Sequence, residues 1–305
     1  MNEIISALWP VFMLLLLGYW AQRQNFPGPG FWQQAEKGTY YVLFPVMLVE
    51  KLSTAPIDQI DLWQTGTAVL LLLLLGSAAV LACRKLISGA AAFTSVYQGA
   101  VRFNTYVGLA AAAVLYGDPG LAQAAVIAAF MIPLLNLFCV LVFVVFVGGH
   151  ASWMNVLKTL LTNPLIVGSL LGLGLNLTDL GLHPALQPVM GLLGQMALPM
   201  GLLAVGAGLS FHFLLRSWQP VLLATLIKLL VFPLLAVGLA NLVGLPALSA
   251  QLLLLFAALP TASSAYILAR QMGGDAQLMA GIITGQTLLA MLTMPLLLGL
   301  LAQWL

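Results

Sequence analysis

The sequence predicts an all-α membrane protein of ten transmembrane helices, built as two inverted five-helix repeats. Three observations predict it. Hydrophobic residues make up 62% of the 305-residue chain and charged ones 6%, with mean hydropathy +1.08. A soluble domain carries about 25% charged residues, so most of this chain belongs in lipid. Apolar runs of bilayer-crossing length recur along the whole sequence. Finally, Pro10 and Pro45 stand 35 residues apart, as do Pro164 and Pro199, and the second pair follows the first by 154 residues. Gly18 and Gly172 repeat with the same shift, and repetition at half the chain length marks a duplication.

The runs lie at 5–21, 38–54, 62–83, 93–116, 120–147, 160–178, 187–209, 219–243, 247–269 and 277–302. The first follows Met1-Asn2-Glu3, which lacks the basic stretch of a signal peptide, so it is expected to be kept as a span. The second carries Pro45 and ends on Glu50-Lys51, and the third stops at Arg84-Lys85. The polar stretches 22–37 and 148–159 read as loops, so no ATPase or sensor kinase is expected. Trp20, Trp32, Trp63, Trp153, Trp218 and Trp304 fall at or near span ends, where interfacial rings belong.

Charge sorts the connecting segments. Arg23, Lys37, Arg84, Lys85, Lys158, Arg216 and Arg270 fall on one side, with Glu36 and Asp275. Glu3, Asp58, Asp61, Asp118 and Asp179 fall on the other, where Lys51 is the one base. By the positive-inside rule both termini face outward. Five spans per half is an odd number, so residues 1–148 and 149–305 are expected to enter the membrane from opposite sides.

Two spans carry a polar interruption near their middle. The fourth holds Arg102-Phe103-Asn104-Thr105-Tyr106-Val107-Gly108, and the ninth holds Leu259-Pro260-Thr261-Ala262-Ser263-Ser264. Pro260 lacks an N–H and its ring clashes with the preceding turn, so the ninth helix must kink or break. Thr261, Ser263 and Ser264 are suited to bond the freed backbone groups, which lipid does not do. Asn104 and Thr105 suit a helix start, and Gly108 permits unwinding and close approach. Two half-helices starting at the bilayer centre present orphan N–H groups and positive dipole ends, a site for a carboxylate or other anion. The plainer alternative is that these hydroxyls bond within their own helices and Pro260 only bends one.

At these residues the chain resembles the bacterial auxin efflux carrier family. The resemblance rests on Arg-x-Asn with Gly108 in span 4, Asn163-Pro164 opening span 6, and Pro199 with Gly206-Ala207-Gly208-Leu209 in span 7. It rests also on Lys228 with Phe-Pro in span 8 and Leu-Pro-Thr-Ala-Ser-Ser-Ala-Tyr-Ile-Leu-Ala-Arg in span 9. It implies ten helices, a crossing of broken helices 4 and 9, and elevator-type carriage of small organic anions, a plan shared with bile acid sodium symporters. Bacterial members are linked to malate or malonate and plant members to auxin. One departure stands out: the family has Pro shortly after the span-4 glycine, and Ala110 occupies that region here. Helix 4 is therefore expected to break less sharply than helix 9. The loop between the halves is short, unlike that of the plant carriers.

Other polar groups carry weaker signals. Arg102 is expected as a substrate counter-ion, as the partner of a carbonyl or Asn, or as a snorkelling side chain. Lys228 reads as structural or snorkelling. Glu50 reads as an interfacial pair with Lys51, a coupling carboxylate being the sharper alternative. Asn136, Thr284, Gln286 and Thr287 flank the interruptions and suit a supporting or ion-binding role, or plain helix-to-helix bonding. Cys83 and Cys139 read as buried thiols, and His150, His183 and His212 form no metal constellation. No cofactor or metal is expected, a net charge of +2 does not point to nucleic acid, and Na+ or H+ remains open as coupling ion. No Asp or Glu stands near the middle of a span, which argues against a carboxylate proton relay and against a cationic substrate.

The expectation is a secondary carrier of a small organic anion in a bacterial inner membrane. Spans 1, 2, 6 and 7 would form a scaffold that dimerises through 2 and 7, and spans 3–5 and 8–10 the moving unit. The alternatives are a sodium-coupled symporter and a ligand-binding membrane sensor. An enzyme is not expected, because the spans hold no nucleophile–base pair.

Overall fold

A computed structural model describes residues 2–55, 61–148, 161–211 and 218–305. Among them the secondary structure is helical throughout, without strands. The expected charges Asp58, Lys158 and Arg216, together with Trp153, His150 and His212, lie outside the described residues.

Helix α1 spans Asn2–Arg23, with Pro10 inside it. The next helix begins as α2, Phe31–Gly38, seven residues ahead of the apolar run at 38–54, and continues through a π-turn at Thr39–Leu43 into α3, Phe44–Leu52. Pro45 explains the wide turn: it has no N–H for the fourth carbonyl back, and the preceding Phe44 N–H bonds Thr39, five residues back. The same device recurs where α9, Trp218–Leu226, passes through a π-turn at Ile227–Val231 into α10, Phe232–Val243, ahead of Pro233.

Between these lie α4, Leu62–Ala82, whose N-cap Asp61 accepts from Gln64 N–H, and α5, Ala90–Val101. Helix α6, Thr105–Val147, folds sharply at Gly117, where φ is +65°, so 105–116 and 118–147 are two helices in effect. Helix α7 is Pro164–Leu177, capped by Asn163, and α8 is Gln187–Ala207. The chain closes with α11, Ala247–Ala258, α12, Ser264–Met272, and α13, Ala276–Leu301.

Among the described residues six stretches are long and apolar enough to cross a membrane: Glu3–Arg23, Leu62–Leu86, Ala90–Val147, Gln187–Ala207, Trp218–Val243 and Ala276–Trp304. Ala90–Val147 holds two of the expected runs, while Pro164–Leu177 and Ala247–Ala258 are shorter apolar helices. Large side chains such as Trp63, Leu192 and Leu242 stand exposed along these helices, as a lipid-facing surface requires.

Glycines set how closely helices approach. Gly18 of α1 lies against the backbone of Leu203 in α8, and Gly206 of α8 against the backbone of Leu15 in α1. A Cβ on Gly172 of α7 would stand 2.9 Å from Leu48 O in α3, and one on Gly168 2.8 Å from Pro45 Cα. Without side chains at these points the backbones touch directly. The two glycines that repeat in sequence, Gly18 and Gly172, therefore do the same job: the first seats α1 on α8, the second seats α7 on α3.

Candidate functional site

Both sequence interruptions are true helix breaks. Helix α5 ends at Val101, and Arg102 turns extended with φ −73° and ψ 159°. Asn104, at φ −83° and ψ 102°, caps α6 by accepting from Tyr106 N–H and Val107 N–H at 3.1 and 3.2 Å. The fourth helix is thus fully broken, which corrects the expectation of a softer break. The break sits before Asn104 and needs no proline near Ala110, because the Asn104 side chain starts a new helix. Gly108 is helical and does not unwind; a Cβ there would stand 2.7 Å from Leu259 Cδ1, so its role is close approach to the other break. The ninth helix breaks between Ala258 and Ser264, beginning at Leu259 with ψ 148°.

The two breaks are stitched together. Asn104 N–H donates to Pro260 O at 2.8 Å. Gln286 of α13 bridges both: its Oε1 accepts from Thr261 N–H and its Nε2 donates to Gly99 O, each at 2.9 Å. Thr261 Oγ1 adds a long bond of 3.4 Å to Gln98 O. Gln286, Thr261 and Asn104 are buried, Thr105 and Ser263 are partly so, and Ser264 is exposed.

Arg102 donates through Nη2 to Asn136 Oδ1 at 3.0 Å, so among the expected roles the structural bond to Asn is present. Asn136 thus braces the first break, and Gln286 ties it to the second. Thr284 Oγ1 donates to Ala280 O and accepts from Ser210 N–H, and Thr287 Oγ1 donates to Ile283 O. These two hydroxyls serve their own helix and a neighbouring loop. Lys228 is wholly buried, 3.5 Å from Phe256 O and over the Phe232 ring at 4.8 Å. Its contacts are structural. Glu50 pairs with Lys51 at 3.6 Å, and Lys51 also meets Asp118 at 3.1 Å.

Polar atoms left over at the crossing are informative. Arg102 Nη1, Asn104 Nδ2, Gln98 Nε2 and Gln98 Oε1 are buried and have no hydrogen-bond partner among the described residues. Burying such groups unpaired is costly, and three of the four are donors. Gln98 carries no signal of its own in the sequence, although it stands four residues before Arg102, in the last turn of α5. By sequence Glu36 falls in a loop, the polar stretch 22–37. It stands instead on α2 and accepts from Ser263 Oγ at 3.3 Å, next to the second break. Among the described residues no group of His, Cys, Asp and Glu is placed to hold a metal ion.

Comparison with known proteins finds likeness to membrane transporters over part of the chain. Residues 149–298 match the family described as membrane transport protein. An "Uncharacterized transporter" from Methanothermobacter thermautotrophicus is 30% identical over 149 residues, covering 49% of this chain and 48% of the relative. The chain therefore spans about half the length of that curated relative in the match. This is a multi-pass membrane protein, and its residues 149–298 match the membrane transport protein family, that of the auxin efflux carriers.

Proposed function

We propose that the protein is a secondary carrier of small organic anions, mono- or dicarboxylates such as malate or malonate or auxin-like acids, working by an elevator-type mechanism. The observation that carries the reading is the crossing itself. Two broken helices meet through Asn104 N–H and Pro260 O at 2.8 Å, with unpartnered buried donors on Arg102 and Asn104 beside them. Irregular backbone inside a membrane persists only where protein buries it or a cavity receives it. Donors gathered at half-helix starts suit an anion.

In this reading Asn104, Thr105, Gly108, Pro260, Thr261, Ser263, Ser264 and Arg102 surround the substrate. Asn136, Thr284, Gln286 and Thr287 support it. Residues 1–148 and 149–305 are inverted five-helix repeats of one ten-span protein. The reciprocal seating of α1 on α8 and of α7 on α3, through Gly18 and Gly172, supports that symmetry. The closely packed α1, α3, α7 and α8 form the scaffold, and the breaks ride on the moving unit. A homodimer in the bacterial inner membrane, termini outward, completes the proposal. Its chemistry is passage, not catalysis.

The test is uptake of labelled malate and indole-3-acetate into proteoliposomes, with and without a sodium gradient. Saturable uptake that Pro260→Ala abolishes is the expected result. Saturable binding without uptake of either acid would favour a sensor instead.

A further inference from the structure

Glu36 stands outside the crossing in sequence and inside its reach in space. It precedes the apolar run at 38–54, on the amphipathic helix α2, yet its Oε1 accepts from Ser263 Oγ at 3.3 Å. Ser263 is the N-cap of α12, a nine-residue helix, and its side chain caps none of that helix's N–H groups. A carboxylate distant in sequence thus stands beside the start of a half-helix, whose positive end suits an anion. Tyr106, at the start of α6, is also close enough to interact with Glu36 electrostatically.

Among the described residues Glu36 forms no ion pair, although the charge of Arg102 reaches its neighbour Tyr40. Helix α8, packed against α2, carries no ionisable side chain. The π-turn brings the phenols Tyr40 and Tyr41, α6 brings Tyr106, and α1 brings Arg23, whose Nε bonds Tyr19 Oη at 2.8 Å. On α2 itself Lys37 is exposed. The ion pairs among the described residues are both made by Lys51. Burial raises the pKa of Glu36 above the ordinary carboxylate value, and the Ser263 hydroxyl opposes this. Glu36 also lines a cavity of about 190 Å³ with Gln22 of α1, Trp32 and Gln33 of α2, and Ala204 and Ala207 of α8. That cavity gives water and protons a way to the carboxylate.

We propose that Glu36 couples a proton to the anion: it must be protonated before an anionic carboxylate takes the α12 end of the crossing, so one proton accompanies each anion. This rests on the anion-carrier reading above and adds the co-substrate. Ionised, Glu36 holds Ser263 and repels the substrate, keeping α2 tied to the second break. Protonated, it drops the repulsion and lets the anion replace it at the helix end. Affinity is therefore high below the Glu36 pKa and falls as pH rises through it. Mid-span carboxylates are absent from the sequence, and this carboxylate reaches the site from outside the span.

The test is calorimetric titration of the purified protein with malate between about pH 6 and pH 8, where malate keeps both carboxylates ionised. Two buffers of different ionisation enthalpy count the protons taken up. Wild type is expected to lose affinity as pH rises across this range and to take up protons on binding malate, up to one per malate. Glu36→Gln should keep the low-pH affinity throughout and take up none, while Glu36→Asp should restore the pH dependence. A wild type that binds malate equally at every pH, or a Glu36→Gln protein that keeps the wild-type slope, overturns the coupling and leaves the anion reading standing. If Glu36→Gln does not fold, the wild-type proton count and Glu36→Asp decide alone. Absence of malate binding at any pH overturns both readings.

Discussion

The two breaks at the crossing are built from different parts. The first, at 102–104, closes its own account: Asn104 caps α6 with its side chain, and Arg102 is tied to Asn136. The second, at 259–263, is open: Pro260 forces it, no side chain caps α12, and its support comes from Gln286 and Glu36 on other elements. At the α12 start Ala265 N–H bonds Ala262 O and Tyr266 N–H bonds Ser263 O, each at 3.1 Å, while the first break offers side-chain donors, Asn104 Nδ2 and Arg102 Nη1. An anion at this crossing would meet the positive dipole end of α12 on one side and amide and guanidinium on the other.

This asymmetry is exposed to mutation. Gln286→Leu leaves both Thr261 N–H and Gly99 O buried without partners, and at about 1–3 kcal/mol for each it should cost about 2–6 kcal/mol in thermal unfolding in detergent. Asn136→Leu removes one partner from a charged donor and should cost less, about 1.5–3 kcal/mol by the same measurement. Asn104→Ala removes a helix cap and should lower stability by about 0.5–2 kcal/mol. Ser263→Ala removes no cap and only a 3.3 Å bond, so a change within about 0.5 kcal/mol is expected. Equal losses for Asn104→Ala and Ser263→Ala would erase the distinction between a self-capped and an open break.

Much of this plan was legible in the sequence, for local reasons. Pro260 and Asn104 act on their own chain segments, so both interruptions stood out. The paired prolines and glycines marked helices that later proved to touch. Two features misled. Ala110 pointed to a soft fourth helix, but the Asn104 cap breaks it upstream; and Glu36 looked like a loop charge because α2 runs seven residues beyond the apolar run. The clamp of Gln286 on Gly99, 187 residues away, and the Glu36–Ser263 contact across 227 residues depend on tertiary approach and leave no mark in spacing. Gln98 was hidden in an apolar-looking stretch, where a single amide reads as packing until its neighbours are seen.

The most direct test of the crossing as the anion site is malate binding to purified Asn104→Ala and Thr261→Ala proteins beside wild type, at one acidic pH. Each substitution is expected to weaken binding by about 1–3 kcal/mol, roughly five- to 150-fold, because each removes a buried polar group at the point where the breaks meet. Wild-type affinity in both variants would contradict the account and move the search to Thr284 and Thr287 on α13.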